Sequence, residues 1–425
     1  MKVNETVKNY ESERRMYANY VLRNIKKVCK EVGPRDAGSP EELKAQEWMA
    51  EDLKTSCDEV KIEPFDVHPR AFMGWIDIMV FCATVAAALF FGAHFLPDFA
   101  KPMLIAGVVL IAVSLVSVVA EFLFYKKFLD AFTKKKTSHN LIGIRKASGE
   151  VKRRIIFAGH ADSAMEWRFT YWGGPKLVVP SIVMGFLGVL YVGVSSVIAL
   201  VFALTDKFEG NNVIWILSIV AVCFIPVFLF FTLFYNPKRI VEGANDDLTG
   251  CLISMAMTRY LSDHDIRFEN TEVWSVCTGS EEAGLRGSKA LAKAYAKQFK
   301  DEKDVETVFV AVDTVRDFDF MAIYNKDMTG LVKNDDQASN LVKEGGKLAG
   351  YELPYKTVSL GATDAAAMTQ AGIKSASFAA MDPAPARYYH TRLDTHENLD
   401  LKAIEAGVDI CLNTMFLFDE KGLNV

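Results

Sequence analysis

Ile155-Ile-Phe-Ala-Gly-His-Ala-Asp162 sets the pattern from which the rest of the chain can be ordered. Residues 155–158 are apolar with no polar alternation, as in a strand buried on both faces. A glycine then delivers the chain to a histidine and an aspartate. Residues 308–312, Val-Phe-Val-Ala-Val, repeat the apolar run and end on Asp313; residues 272–277 are a third strand candidate. Between them, 252–261 and 288–299 have helical composition. Gly33-Pro34 and Ser39-Pro40 mark loops, after which 41–53 resumes as a helix. Residues 1–32 predict an amphipathic helix, with Tyr17, Val21, Ile25 and Val28 at helical spacing among many basic residues, and not a signal peptide. Strands alternating with helices predict an α/β fold, a mostly parallel central sheet flanked by helices. Sites in such sheets form at the carboxyl ends of the strands.

Composition removes several function classes. The net charge of -5, with no long basic stretch interleaved with aromatics, excludes nucleic acid as a partner. The seven cysteines form no CxxC pair and no regular framework, which excludes a disulfide scaffold and a cysteine-ligated structural zinc.

Four apolar runs interrupt the pattern, at 72–96, 102–125, 177–204 and 213–235. Each is long enough to cross a hydrocarbon core ~30 Å thick as a helix. They come as two hairpins with short connections, and the carboxylates inside them, Asp77 and Glu121, lie near run ends. The flanks outside the hairpins are basic: Arg70, Lys126, Lys127, Lys134, Lys135, Lys136, Arg168, Lys176, Lys238 and Arg239. The positive-inside rule puts these flanks in the cytoplasm. The expected organisation is therefore a discontinuous soluble domain, 1–70 with 126–176 and 237–425, on the cytoplasmic face of the cell membrane. Transmembrane hairpins occupy 71–125 and 177–236, with the lipid bilayer as a partner.

Polar chemistry concentrates in five stretches. His160 and Asp162 follow the first strand; one can ligate a metal while the other accepts its second ring N–H. Gly243-Ala-Asn-Asp-Asp-Leu-Thr-Gly250 carries two carboxylates before a helix. Capping accounts for one of them, but not for the second acid or the flanking glycines. Thr278-Gly-Ser-Glu-Glu-Ala-Gly-Leu-Arg-Gly-Ser288 carries adjacent glutamates, a pairing that can divide metal binding from proton transfer. Asp313 ends a strand. Tyr389-His-Thr-Arg-Leu-Asp-Thr395 spaces His390 and Asp394 four apart, on one face if the segment is helical. Converging, these acids would resist folding without cations. Nitrogen and oxygen donors without thiolates suit zinc, with cobalt or manganese as alternatives.

In this order the motifs resemble the zinc exopeptidases of peptidase family M28, which include bacterial leucyl aminopeptidases and aminopeptidase Y. The likeness covers essentially all soluble segments, including Gly33-Pro-Arg-Asp-Ala-Gly-Ser-Pro-Glu-Glu42. It implies a zinc exopeptidase fold (phosphorylase/hydrolase-like) and two zinc ions. His160 and Asp313 would hold one, Glu282 and His390 the other, and Asp246 would bridge them. It further implies Glu281 as general base, Asp162 as the residue orienting His160, and Tyr389 beside the oxyanion. The expected activity is an aminopeptidase on short peptides. A carboxypeptidase or dipeptidase is the alternative, for which Arg286, Arg387 and Arg392 would be available, as is a silent receptor or scaffold. Two departures stand out. His160 and Asp246 lie far apart in sequence, a gap that the second hairpin explains, and Asp313 sits in Ala-Val-Asp-Thr-Val rather than the family's usual Asn-x-Asp-Met.

Overall fold

Two apolar strands with no polar face must be covered on both sides. In the computed structural model, which describes residues 13–384 and 386–425, the two lie side by side. The strands are β1 (Glu59–Val67), β2 (Lys136–Arg145), β3 (Arg153–His160), β4 (Met165–Trp167), β5 (Tyr235–Ile240), β6 (Thr271–Thr278), β7 (Glu306–Val315), β8 (Met321–Asp327), β9 (Val332–Lys333), β10 (Tyr355–Thr357) and β11 (Lys374–Ala380). The main sheet runs β1-β2-β6-β3-β7-β11-β8-β10, with β9 on β8; β4 and β5 pair separately. Its centre, β6-β3-β7-β11, is parallel, with Ile155 opposite Val308. Antiparallel pairings enter at β1–β2, β2–β6 and β11–β8.

Side chains alternate across a strand, so each central strand feeds two cores. Ile155, Phe157, Val308, Val310 and Val312 pack into one cluster with helices Arg14–Glu31, Leu248–Asp263 and Leu401–Lys421. Ile156, Ala158, Phe309 and Ala311 pack into the other with helices Arg286–Asp301 and Asp364–Gln370. Burying each large apolar side chain contributes roughly 1.5–3 kcal/mol. The first helix buries Tyr17, Val21, Ile25 and Val28 as their spacing predicts; residues 1–12 of that expectation lie outside the described residues. Helix Pro40–Leu53 starts at Ser39, whose Oγ accepts the Glu42 N–H at 3.2 Å, with proline in its first turn.

Two glycines let the helix that follows the acidic loop touch the sheet. A Cβ on Gly250 would stand 1.9 Å from the Val312 carbonyl oxygen, and one on Gly159 would stand 2.3 Å from the Cys251 nitrogen. The end of β3 and the start of helix Leu248–Asp263 therefore abut, which brings together segments separated by the second apolar hairpin in sequence.

The chain divides into two compact units. One comprises the chain up to Pro69 with Lys135–Glu166 and Pro237–Val425, and the other Arg70–Lys134 with Trp167–Asn236. Segments 126–134 and 167–176 thus fall in the helical unit. That unit contains four helices long and apolar enough to cross a membrane, Gly74–Gly92, Pro97–Leu123, Pro175–Leu204 and Asn212–Phe231. The last ends before the apolar run does, because Tyr235 already begins β5. Ile105, Val109, Val113, Leu187, Val194 and Ile216 are exposed on these helices, where a water-facing surface would carry polar residues. The two carboxylates are held inside the unit: Tyr235 Oη donates to Asp77 Oδ2 at 3.2 Å, and the Leu129 N–H donates to Glu121 Oε1 at 2.5 Å.

Candidate metal centre

The parallel centre of the sheet puts the ends of β3, β6 and β7 side by side, and the polar motifs meet there. His160 is the last residue of β3. Asp313 lies within β7, which continues to Val315, rather than just beyond the strand. Asp246 stands between the two imidazoles. Its Oδ1 is 3.1 Å from His160 Nε2 and its Oδ2 is 3.1 Å from His390 Nε2. Glu282 Oε1 lies 3.1 Å from the same His390 nitrogen, and Glu281 Oε2 4.0 Å from His160 Nε2. Ligand atoms of Asp246, Glu282 and His390 lie within 4.8 Å of one another, as do those of His160, Glu281 and Glu282, and of His160, Asp247 and Asp313.

Asp247 is close but differently employed. Its Oδ1 accepts N–H groups from Gly250 at 2.8 Å and Thr314 at 3.1 Å, and its Oδ2 accepts the His160 N–H at 3.1 Å. It caps the helix and ties β3 to β7. Among the described residues the Asp246 carboxylate accepts no backbone N–H, and it faces the imidazoles instead.

The supporting contacts differ in part from those expected of the motifs. Asp162 Oδ1 stands 3.4 Å from His160 Nδ1 and pairs with that side of the ring. Its carboxylate also accepts the N–H groups of Glu281 at 2.9 Å and Glu282 at 3.1 Å. It therefore fixes the two glutamates directly. The segment around His390 is a series of turns, with His390 at φ 52°, so His390 and Asp394 do not share a helix face. Asp394 reaches back to the acidic loop, accepting from the Asn245 N–H at 2.8 Å and the Asp246 N–H at 3.2 Å. The Tyr389 ring stacks on His390 with centroids 4.0 Å apart.

Three buried groups carried no signal in the sequence strong enough to mark them. Glu42 accepts from the Ser280 N–H at 2.6 Å and from Ser138 Oγ at 2.8 Å, which holds Ser280 at φ 53° just before the glutamates. Arg35 is fully buried and donates to the carbonyls of Ala161, Glu242 and Gly243. Asp364, at the start of its helix, accepts from Thr278 Oγ1 at 2.5 Å. The Gly33–Glu42 motif and the acid-before-helix pattern are visible locally, but neither names the partner.

The electrostatics are those of a cation site. Burial raises the Glu281 carboxyl well above its usual range; His160 opposes this, and Glu282, Asp364 and Asp313 add to it. Burial and the Asp246 charge push Asp313 up to about 7. Burial works against charge on His390, but Glu282 and Asp246 outweigh it and carry the imidazole up to about 10. The Asp246 carboxyl moves down, because the two imidazoles overcome its burial. Two imidazoles and four clustered carboxylates without thiolate match the donor preference of zinc, and a dication would relieve the mutual repulsion of the acids.

Residues 231–415 match the sequence profile described as Peptidase family M28. Aminopeptidase YwaD of Bacillus subtilis (strain 168) is 27% identical over 195 residues, an alignment covering 44% of this chain and 40% of that protein. The chain thus spans about two fifths of the length of this curated relative. BSAP, a zinc aminopeptidase from Bacillus subtilis, has a similar fold, with a TM-score of 0.55 at 16% identity over 94% of each chain. So does the glutaminyl cyclase of Fimbriiglobus ruber, with a TM-score of 0.53 at 14% identity over 94% of this chain and 95% of that one.

Proposed function

Since residues 231–415 match the Peptidase family M28 profile, we infer that the chain is a membrane-embedded dinuclear zinc peptidase, an aminopeptidase acting on short peptides. The observation that supports this most is Asp246, whose two oxygens each stand 3.1 Å from a different imidazole. His160, Asp313 and Asp246 would hold one ion, and Glu282, His390 and Asp246 the other. When bound, the ions supply Lewis acidity and a more acidic water. Glu281 takes a proton from the attacking water and returns it to the amine as the C–N bond breaks. Asp162 and Glu42 keep Glu281 in reach through their backbone contacts. Tyr389, packed on His390, donates a hydrogen bond from its hydroxyl to the oxygen on which negative charge develops.

Of the three arginines a carboxypeptidase could use, Arg286 and Arg392 are engaged within the protein, whereas Arg387 lines a pocket with Arg316 and Tyr388. A carboxypeptidase needs cations for the substrate carboxylate, yet Arg392 is engaged by Glu166 through two contacts at 2.6 and 2.8 Å. Arg286 is buried and donates to the Ala283 carbonyl.

Purified protein is expected to hold two zinc ions at this centre and to release the N-terminal residue of short peptides. A metal-free protein without hydrolytic activity would overturn the reading, and release of C-terminal residues would turn it to the carboxypeptidase.

The basic flanks put the peptidase unit on the cytoplasmic face. A membrane-impermeant thiol reagent should therefore label Lys152→Cys, at an exposed position, only after the membrane is opened. Extra labelling over the parent protein in intact cells would place the unit outside.

A further inference from the structure

A second cluster of donor atoms lies apart from the residues assigned above. Cys29, near the end of helix Arg14–Glu31, Glu242 after β5, and His396 beyond the His390 turn bring one ligand atom each within 4.8 Å of one another. The three come from segments far apart in sequence, and Glu242 and His396 are held by hydrogen bonds. The Arg35 guanidinium donates to the Glu242 carbonyl at 2.7 Å. Glu242 Oε1 accepts the His396 N–H at 2.8 Å and also touches His396 Nδ1. Cys29 is buried, whereas the Glu242 and His396 side chains are 20% and 18% exposed, so the cluster opens to solvent on the carboxylate–imidazole side.

We propose that Cys29, Glu242 and His396 form a mononuclear site for a thiophilic divalent cation such as zinc, with water as the fourth ligand. The donors are one sulfur, one nitrogen and one oxygen, each an established zinc ligand type. In tetrahedral zinc, ligand atoms stand roughly 3.3–3.8 Å apart, given metal–ligand lengths of ~2.0–2.3 Å. From a starting set within 4.8 Å, side-chain shifts of about 1 Å meet that spacing, with the Glu242–His396 contact opening as the cation enters. Burial holds the free Cys29 thiol protonated, with Arg35 opposing and Glu242 reinforcing. Binding the cation displaces that proton, leaving a thiolate–metal bond.

The consequence is mechanical. Glu242 lies four residues before Asp246, and His396 six after His390. Asp394, two residues before His396, already hydrogen-bonds the Asn245–Asp246 backbone. A cation on the cluster would clamp the first helix to both loops that carry Asp246 and His390, setting how firmly those two residues are held.

Cobalt substitution of the full chain tests this without recourse to activity. The centre around Asp246 contains no sulfur donor, so a near-ultraviolet sulfur-to-cobalt charge-transfer band reports only on a cysteine site. Cobalt-loaded wild type should show the band, and Cys29→Ser should lose it together with one cobalt per chain. His396→Ala, which leaves the thiol in place, should weaken or shift the band and lower the bound cobalt. A wild type without the band overturns the proposal. So does a band that survives in Cys29→Ser, which would arise from another cysteine, or one unaltered in His396→Ala.

Discussion

Glu281→Gln should lower peptide turnover by about 10²–10⁴-fold, the range of a lost general base, while the bound metal content stays as in wild type. The substitution is nearly isosteric, and the side chain is held from outside itself. Asp162 accepts the Glu281 N–H, and Glu42 anchors Ser280 beside it. The local shape should therefore persist. The glutamine amide cannot take the proton from water, so the loss belongs in kcat rather than in substrate affinity. The measurement is kcat and KM on a short peptide together with metal content per chain. Turnover within tenfold of wild type would remove Glu281 as the base. Loss of metal in step with activity would make it a ligand instead.

Stripping the metal should destabilise the peptidase unit, and more so as pH rises. In the metal-free site the carboxyls of Glu281, Glu282 and Asp313 lie above their ordinary values, with Asp313 at about 7. His390 lies above its own, at about 10. Each of these groups holds its proton more tightly folded than unfolded, so the stability it contributes is present at low pH and is lost as pH climbs through the folded values. The window opens above the ordinary carboxylate pKa of about 4 and closes near that of His390. Asp246 works the other way, but its window lies below the ordinary carboxylate value. Metal reverses the slope, because its ligands must be deprotonated to bind. The apparent Tm of stripped protein should fall from pH 5 to pH 9, and saturating zinc should raise it most at the alkaline end. A Tm that rises with pH in stripped protein, or zinc without effect at alkaline pH, would mean these acids do not meet at a metal site.

How much of this was readable in the chain follows from the range of each interaction. The runs at 155–158 and 308–312 lack a polar face, and that local property fits them only for the middle of a covered sheet. The four apolar runs are as local, since length and composition alone make them fit to cross a bilayer. The order of the polar motifs, with the second hairpin accounting for the gap between His160 and Asp246, pointed to the fold and to one converging site. Element ends were less legible: β7 runs through Asp313 because pairing with β11 continues past it.

The choices within the site needed the tertiary structure. Adjacent acids look alike in sequence. Asp246 faces two imidazoles while Asp247 accepts backbone N–H groups from the His160, Gly250 and Thr314 positions, a division set by residues as much as 144 positions away. Asp162 faces His160 and also holds the two glutamates through their N–H groups. Asp394 clasps the acidic loop from a turn and not from a helix face. Cys29, Glu242 and His396 belong to no motif and meet only when the first helix packs on the sheet. Periodicity and composition act over a few residues and survive in the chain as pattern. The partner of a buried polar group is chosen by what the packed core brings within about 3 Å of it, and that is decided only on folding.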